Sequence, residues 1–280
     1  MRDADTAMLS SPDKQPPKRP RTGGKPRGPA AQELDFSAMS EHKQMIMHRF
    51  TAYRDSLDAH YDRRERVIKC SRDITALSKK IVFALLRITQ NPPEKVFAEA
   101  ECKHEEVLGL FKKLSLELQG SNAFRYNRQA TPGVQEYIEA ISLWHFLEHN
   151  ELMTMEQVLD RLSVEEDGER RPLVMVTKED YLLGISDLPG EVNRYCINSI
   201  GKGDYDAVKR SLEFLRQLKE GINHVLCNAH IRDLEKKVPV LDSSLQKIEQ
   251  AFYSKSIRDS ELRKIESSME EYAAETPAAA

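Results

Sequence analysis

The sequence predicts an all-α protein, and three observations carry that expectation. Residues 30–91 contain neither Gly nor Pro, and within them Val67, Ile68, Ile74, Leu77, Ile81, Leu85 and Ile88 recur at helical spacing. Gly and Pro instead punctuate the chain between further helically patterned stretches. No segment shows sustained period-two alternation bounded by hairpin turns.

The elements follow in order. Residues 30–91 form one very long helix or two abutting ones, stopped by Asn91-Pro92-Pro93, because proline lacks an amide donor and restricts the residue before it. A second helix spans about 94–119. Gly120-Ser121-Asn122 separates it from a third, which runs to about His149 with Thr131-Pro132-Gly133 as a kink or as a restart capped by Thr131. Thr154 caps a short helix through about Leu162, and residues 163–176 read as a polar loop. Thr177 and Asp180 resemble a capping box that opens a helix ending at Gly201. Asp204 starts the next, with Val208, Leu212, Leu215, Leu218 and Ile222 on one face. A last helical region covers about 232–255, with Pro239 as a candidate break. The domain plan is a basic tail over 1–35, a helical domain over 36–258 and a partly frayed tail over 259–280.

Composition excludes some functions. The chain has 280 residues and a formal net charge of −3, and its longest apolar run, Ile81 to Leu86, falls far short of the roughly 20 residues that span a bilayer. No apolar leader with a small-residue cleavage site opens it, so the cytoplasm and nucleus are the expected locations. The cysteines Cys70, Cys102, Cys196 and Cys227 are widely separated and read as buried, reduced thiols. His145 and His149 share a helix face but lack the Glu of H-E-x-x-H. Residues 1–30 carry a net charge of +4 and six prolines, which leaves −7 on the rest of the chain. Such a segment buries too little apolar surface to offset its ordering entropy. Within it Lys18, Arg19 and Arg21 read as a nuclear-import address, a polyanion-binding arm or a solvated tail.

Two pairs of acids stand out. Glu136 and Glu139, at i, i+3, share one face of the third helix among apolar neighbours such as Tyr137, Ile138 and Trp144. An uncompensated acidic pair there is costly. A divalent cation removes the cost; so does solvent with Arg128 or a lysine as counter-charge. Asp187 and Glu191 repeat the theme at i, i+4, with Asp187 equally readable as a helix N-cap. The absence of E-x-x-H argues against a di-iron centre, and hard oxygen donors suit Mg²⁺, with Mn²⁺ as a substitute. Such a site serves phosphodiester hydrolysis.

At this point the chain resembles the translin superfamily. The carriers are Arg63 to Lys69 (RRERVIK), Ser71 to Thr75 (SRDIT), Gly133 to Ala140 (GVQEYIEA), Asp180 to Glu191 (DYLLGISDLPGE) and Cys196 to Ser199 (CINS), and the likeness covers about residues 45–256. The resemblance implies a seven-helix bundle with one very long N-terminal helix. It implies a subunit that pairs with translin in a hetero-oligomeric shell and supplies a Mg²⁺-dependent endoribonuclease site. The substrates it implies are short single-stranded RNAs, such as passenger-strand and tRNA-processing fragments, with single-stranded DNA as a further partner. It places the metal on Glu136, Glu139 and Asp187, with Glu191 as a fourth catalytic member. Pro189 departs from the pattern, standing where relatives carry a residue better suited to a helix interior. Phosphate contacts fall to Lys and Arg, for which Arg63, Arg64, Arg66, Lys69, Arg72 and Arg128 are the candidates. The resemblance favours Arg128. The rival reading is a non-catalytic scaffold that stabilises translin and uses its tail for nuclear traffic.

Overall fold

The computed structural model describes residues 40–166 and 168–275. Lys18, Arg19, Arg21 and the rest of the basic tail lie outside them. The chain divides into two units, Met1–Asp55 and Ser56–Ala280. In the first, the described residues belong to the start of helix α1 (Glu41–Leu85), where the rings of Phe50 and Tyr53 meet edge-on at 6.2 Å.

The second unit holds the rest of α1, then α2 (Pro93–Glu117), α3 (Asn122–His149), α4 (Met155–Arg161), α5 (Lys178–Ile185), α6 (Leu188–Lys202), α7 (Tyr205–Asn228) and α8 (Val238–Glu275). The all-α expectation holds: among the described residues seven helices have eight residues or more, α1 being the longest at 45, and α4 adds a seven-residue one. α3 packs on α5, and α6 lies against both α7 and α8. The core gathers on α3, where Tyr137, Ile138, Ile141 and Leu143 are fully buried, each worth about 1.5–3 kcal/mol relative to exposure. No helix among the described residues is long and apolar enough to cross a membrane.

Caps fall where the side chains dictate. Thr154 and Thr177 both close reciprocal capping boxes, and the Asp204 carboxylate accepts the Ala207 N–H at 3.1 Å. Other boundaries differ from the sequence pattern. The predicted loop at 163–176 contains a small hairpin, β1 (Ser163–Glu166) against β2 (Glu169–Pro172). Gly168 takes the positive φ its turn needs, and Glu165 sits opposite Arg170 in the register, so charged residues occupy positions where apolar alternation usually announces strands, with Arg170 pairing to Asp160 of α4 at 2.9 Å. The predicted helix over 177–201 is two helices, α5 and α6, parted at Ser186-Asp187. α8 runs on through 259–275, where a frayed tail is predicted; it has no Gly or Pro between Val240 and Thr276, and Pro239 stands at its second residue, where no intrahelical donor is required. Cys196 is buried and Cys70 half-buried, but Cys102 and Cys227 are exposed, off the buried stripes of α2 and α7.

Thr131-Pro132-Gly133 neither restarts nor caps a helix: α3 is continuous through it. Pro132 removes the ladder bond to the Arg128 carbonyl, and Ser71 of α1 braces the same turn, its hydroxyl donating to the Ala130 carbonyl at 3.2 Å and accepting the Gly133 N–H at 3.0 Å. That contact requires glycine, because a Cβ on Gly133 would lie 2.8 Å from the Ser71 carbonyl oxygen. One seryl hydroxyl thus sets the approach of α1 to α3, one turn before Glu136.

Candidate functional site

Four carboxylates from two helices meet at one cleft. Glu136 and Glu139 project from α3; Asp187 and Glu191 come from the entrance and first turn of α6. The cleft, about 510 Å³, is completed by Lys79, Val82 and Phe83 of α1, by Leu86 directly after it and by Arg194. Pro189 leaves the arrangement intact, because it is buried at the second position of α6, where a missing N–H costs nothing. Asp187 occupies the N-cap position, but its side chain caps no amide. It pairs instead with Lys237, just before α8.

The acids outweigh the bases in effect. Lys79 Nζ lies 3.1 Å from Glu136 Oε1, and Arg194 Nη1 lies 3.3 Å from Glu191 Oε2. Glu191 is only 14% exposed, and its Oε2 accepts no hydrogen bond. Burial raises its carboxyl. The Glu139 carboxyl is pushed up to about 8, first by burial and then by the charges of Asp187, Glu136 and Glu191, with Lys79 opposing. The Lys79 ammonium is raised in turn by its bond to Glu136.

Glu139 therefore weakens the metal-free fold as pH rises. An acid held above its ordinary value near 4.5 contributes fully only below that value, where both states bind the proton, and the contribution is lost as pH climbs to about 8. With chelator present, Glu139→Gln is expected to melt above wild type at about pH 8.5, by on the order of a few kcal/mol, with the margin shrinking towards about pH 5. Thermal melts across that range check this; a margin independent of pH would contradict it.

The donor set tests for a metal as follows. Its oxygens are hard, the buried Glu191 Oε2 accepts no hydrogen bond, and Glu139 is raised by burial and by three neighbouring carboxylates, all of which fit Mg²⁺ or Mn²⁺. Among the described residues no three acidic, His or Cys side chains converge into a closed metal-holding group, since Lys79 and Lys237 each take a carboxylate. The His145 and His149 rings lie 4.5 Å apart, tilted at 54°, and among the described residues acquire no third ligand.

The basic candidates separate into two groups. Arg64, Arg72 and Arg128 line a second cleft of about 730 Å³ between α1 and α3, with Ile68, Ser71 and Pro132. Thr75 and Pro132 of this cleft stand one turn, about 5.4 Å, before Lys79 and Glu136 of the first, so the two clefts follow one another along the same helix pair. Lys69 is exposed but outside this cleft. Arg63 and Arg66 both pair with Glu117, at 3.4 and 2.6 Å, and tie α1 to α2. Sequence reasoning missed Lys79, Lys237, Arg194 and Phe83. Arg194 was discoverable, three residues after Glu191. The other three are brought in by tertiary packing and carry no local signal.

With this geometry in place, the likenesses to known proteins can be set beside it. The translin family profile matches residues 62–259. The chain is 37% identical over 236 residues to translin-associated protein X of Mus musculus, covering 78% of this chain and 81% of that protein. It is 27% identical over 219 residues to the translin-associated protein X homolog of Schizosaccharomyces pombe, covering 76% and 90%, and 26% identical over 213 residues to translin of Homo sapiens, covering 75% and 92%. Among solved structures it resembles apo-NeC3PO, with a TM-score of 0.60 and 19% identity over 74% of this chain and 96% of the other. It also resembles the AfC3PO complex with duplex RNA, with a TM-score of 0.56 and 19% identity over 75% and 97%. At these identities the structures speak for the fold.

Proposed function

The chain belongs to the translin family, and from that premise we propose that it is the subunit carrying the Mg²⁺-dependent endoribonuclease site of a hetero-oligomer with translin. One observation carries the proposal: four carboxylates of α3 and α6 share a cleft short of positive charge, one turn from a cleft lined by three arginines. The likeness to C3PO structures, one of them an RNA complex, supports a role on RNA. The cytoplasm and nucleus are the locations that go with this reading.

Glu136, Glu139 and Asp187 would hold the ion, which supplies a lowered pKa for water and offsets charge on the phosphate. The protein's own groups do the rest. Glu191, with a carboxyl raised by burial and held by Arg194, accepts the proton of the attacking water. Lys79 and Lys237 balance the carboxylates in the metal-free state and are the cations that a bound ion would replace. Arg64, Arg72 and Arg128 hold phosphates upstream.

The test is cleavage of short end-labelled single-stranded RNA by the co-purified complex with translin. Cleavage in Mg²⁺, its loss in chelator and its return on adding Mg²⁺ are expected. An assembled complex that leaves RNA intact, or cuts it regardless of chelator, would contradict the proposal and favour the scaffold reading. Within the same complex, Arg128→Ala is expected to weaken RNA binding at all sequences and to reduce the salt slope by about one contact. Binding isotherms at several salt concentrations check this; an unchanged slope would remove Arg128 from the phosphate track.

A further inference from the structure

The metal cleft has a wall that metal chemistry does not use. Val82, Phe83 and Leu86 face the acids across it, and Phe83 is 70% exposed. Among the described large apolar side chains only Phe124 is more exposed. Water excluded from one side of a cleft by an aromatic ring is of no benefit to a hydrated ion. A nucleotide, however, presents both a charged phosphate and a flat apolar base, and the cleft offers a wall for each.

The ring is also held. The Arg87 guanidinium carbon lies 5.9 Å from the Phe83 centroid, and Arg87 is itself fixed by Glu99, whose other oxygen accepts from Lys103 at 2.8 Å. Along α1, Phe83 stands eleven residues beyond Arg72, about 16 Å, a span on the order of five stacked nucleotides. A strand whose phosphates run past Arg72 and Arg128 reaches the acids with its bases at the level of Phe83.

We propose, resting on the nuclease reading above, that Phe83 is the base-stacking platform of the site and the residue that selects single-stranded over paired RNA. A base engaged in a duplex is already covered by its neighbours and must be unstacked before its face can meet the ring. A single strand supplies that face at little cost, and because every base has a π-face the selection is for strandedness and not for sequence.

The experiment measures binding apart from cleavage, in full-chain complexes with translin that carry Glu139→Gln. Phe83→Ala is expected to weaken single-stranded RNA binding by about 5- to 150-fold, while Phe83→Trp retains binding and its emission is quenched by RNA. Replacing successive nucleotides by abasic ones is expected to weaken the Phe83-containing complex at one position and to leave Phe83→Ala unaffected there. Equal binding by Phe83→Ala overturns the proposal. So does a Phe83→Ala complex that falls apart while Phe83→Trp emission ignores RNA, which would assign the ring to subunit packing. If the complex proves unable to cleave RNA yet shows these Phe83 effects, the nuclease reading fails and the stacking platform stands.

Discussion

Glu139→Gln in the otherwise intact complex is expected to lower RNA cleavage by on the order of 10²–10⁴-fold while subunit assembly is unchanged. The amide matches the carboxylate in size, so packing among Tyr137, Ile138 and Ile141 is preserved. It removes the acid most strongly disfavoured in the metal-free cleft, the one raised by three neighbouring carboxylates. The same feature that makes Glu139 costly without a cation makes it the strongest candidate for binding one, since a divalent ion turns mutual repulsion into shared attraction. Stability and activity therefore move in opposite directions: chelator-treated Glu139→Gln melts higher, and the Mg²⁺-loaded variant cuts less. Single-turnover cleavage and size-exclusion chromatography on the same preparation check both. Near-normal cleavage by the assembled variant would remove Glu139 from the site.

Gly133→Ala is expected to be the most damaging single-methyl change near the site. The added carbon would meet the Ser71 carbonyl oxygen at 2.8 Å, Oγ at 2.9 Å and Cα at 3.1 Å, none of them the loose end of a flexible chain. Forcing α1 and α3 apart costs about 1–3 kcal/mol, which in a domain of this size is a melting shift of about 2–10 °C. The chemistry suffers beyond that. Glu136 and Glu139 follow Gly133 by one and two turns on α3, and Lys79 follows Ser71 by two turns on α1, so a displaced contact misaligns both sides of the cleft. A 1 Å misplacement can cost about 100-fold in rate. A Gly133→Ala complex with wild-type melting and cleavage would show that the helices have slack at this crossing. The outcome also bears on Ser71, whose hydroxyl would lose the Gly133 N–H.

Much of this was legible in the chain. Helix faces were readable because burial follows a 3.6-residue period: Val208, Leu212, Leu215, Leu218 and Ile222 are all buried on α7. Caps were readable because Thr154, Thr177 and Asp204 satisfy donors within three residues. The meeting of Glu136 and Glu139 with Asp187 and Glu191 was expected from the family resemblance, and no spacing within either helix determines it. What local pattern could not show were features whose cause lies elsewhere in the fold. Pro132 reads as a break until Ser71, 61 residues earlier, is seen to bond the backbone on either side of it. The hairpin at 163–172 escaped because its paired positions are mostly charged and show no apolar alternation. Lys69 and Arg72 look equivalent in a basic run, yet helical rotation turns only Arg72 towards Arg128. Lys237 belongs to a turn with no periodicity, and only packing brings it to Asp187.

The most direct test of the central claim is metal binding itself, with Mn²⁺ as the spectroscopic stand-in for Mg²⁺. Electron paramagnetic resonance titration of the complex with translin should show bound Mn²⁺ that Mg²⁺ displaces, and that binding should disappear when Glu136→Gln, Glu139→Gln and Asp187→Asn are combined in this subunit. Mn²⁺ binding that is undiminished in that triple variant would place the metal, and the hydrolysis with it, outside this chain.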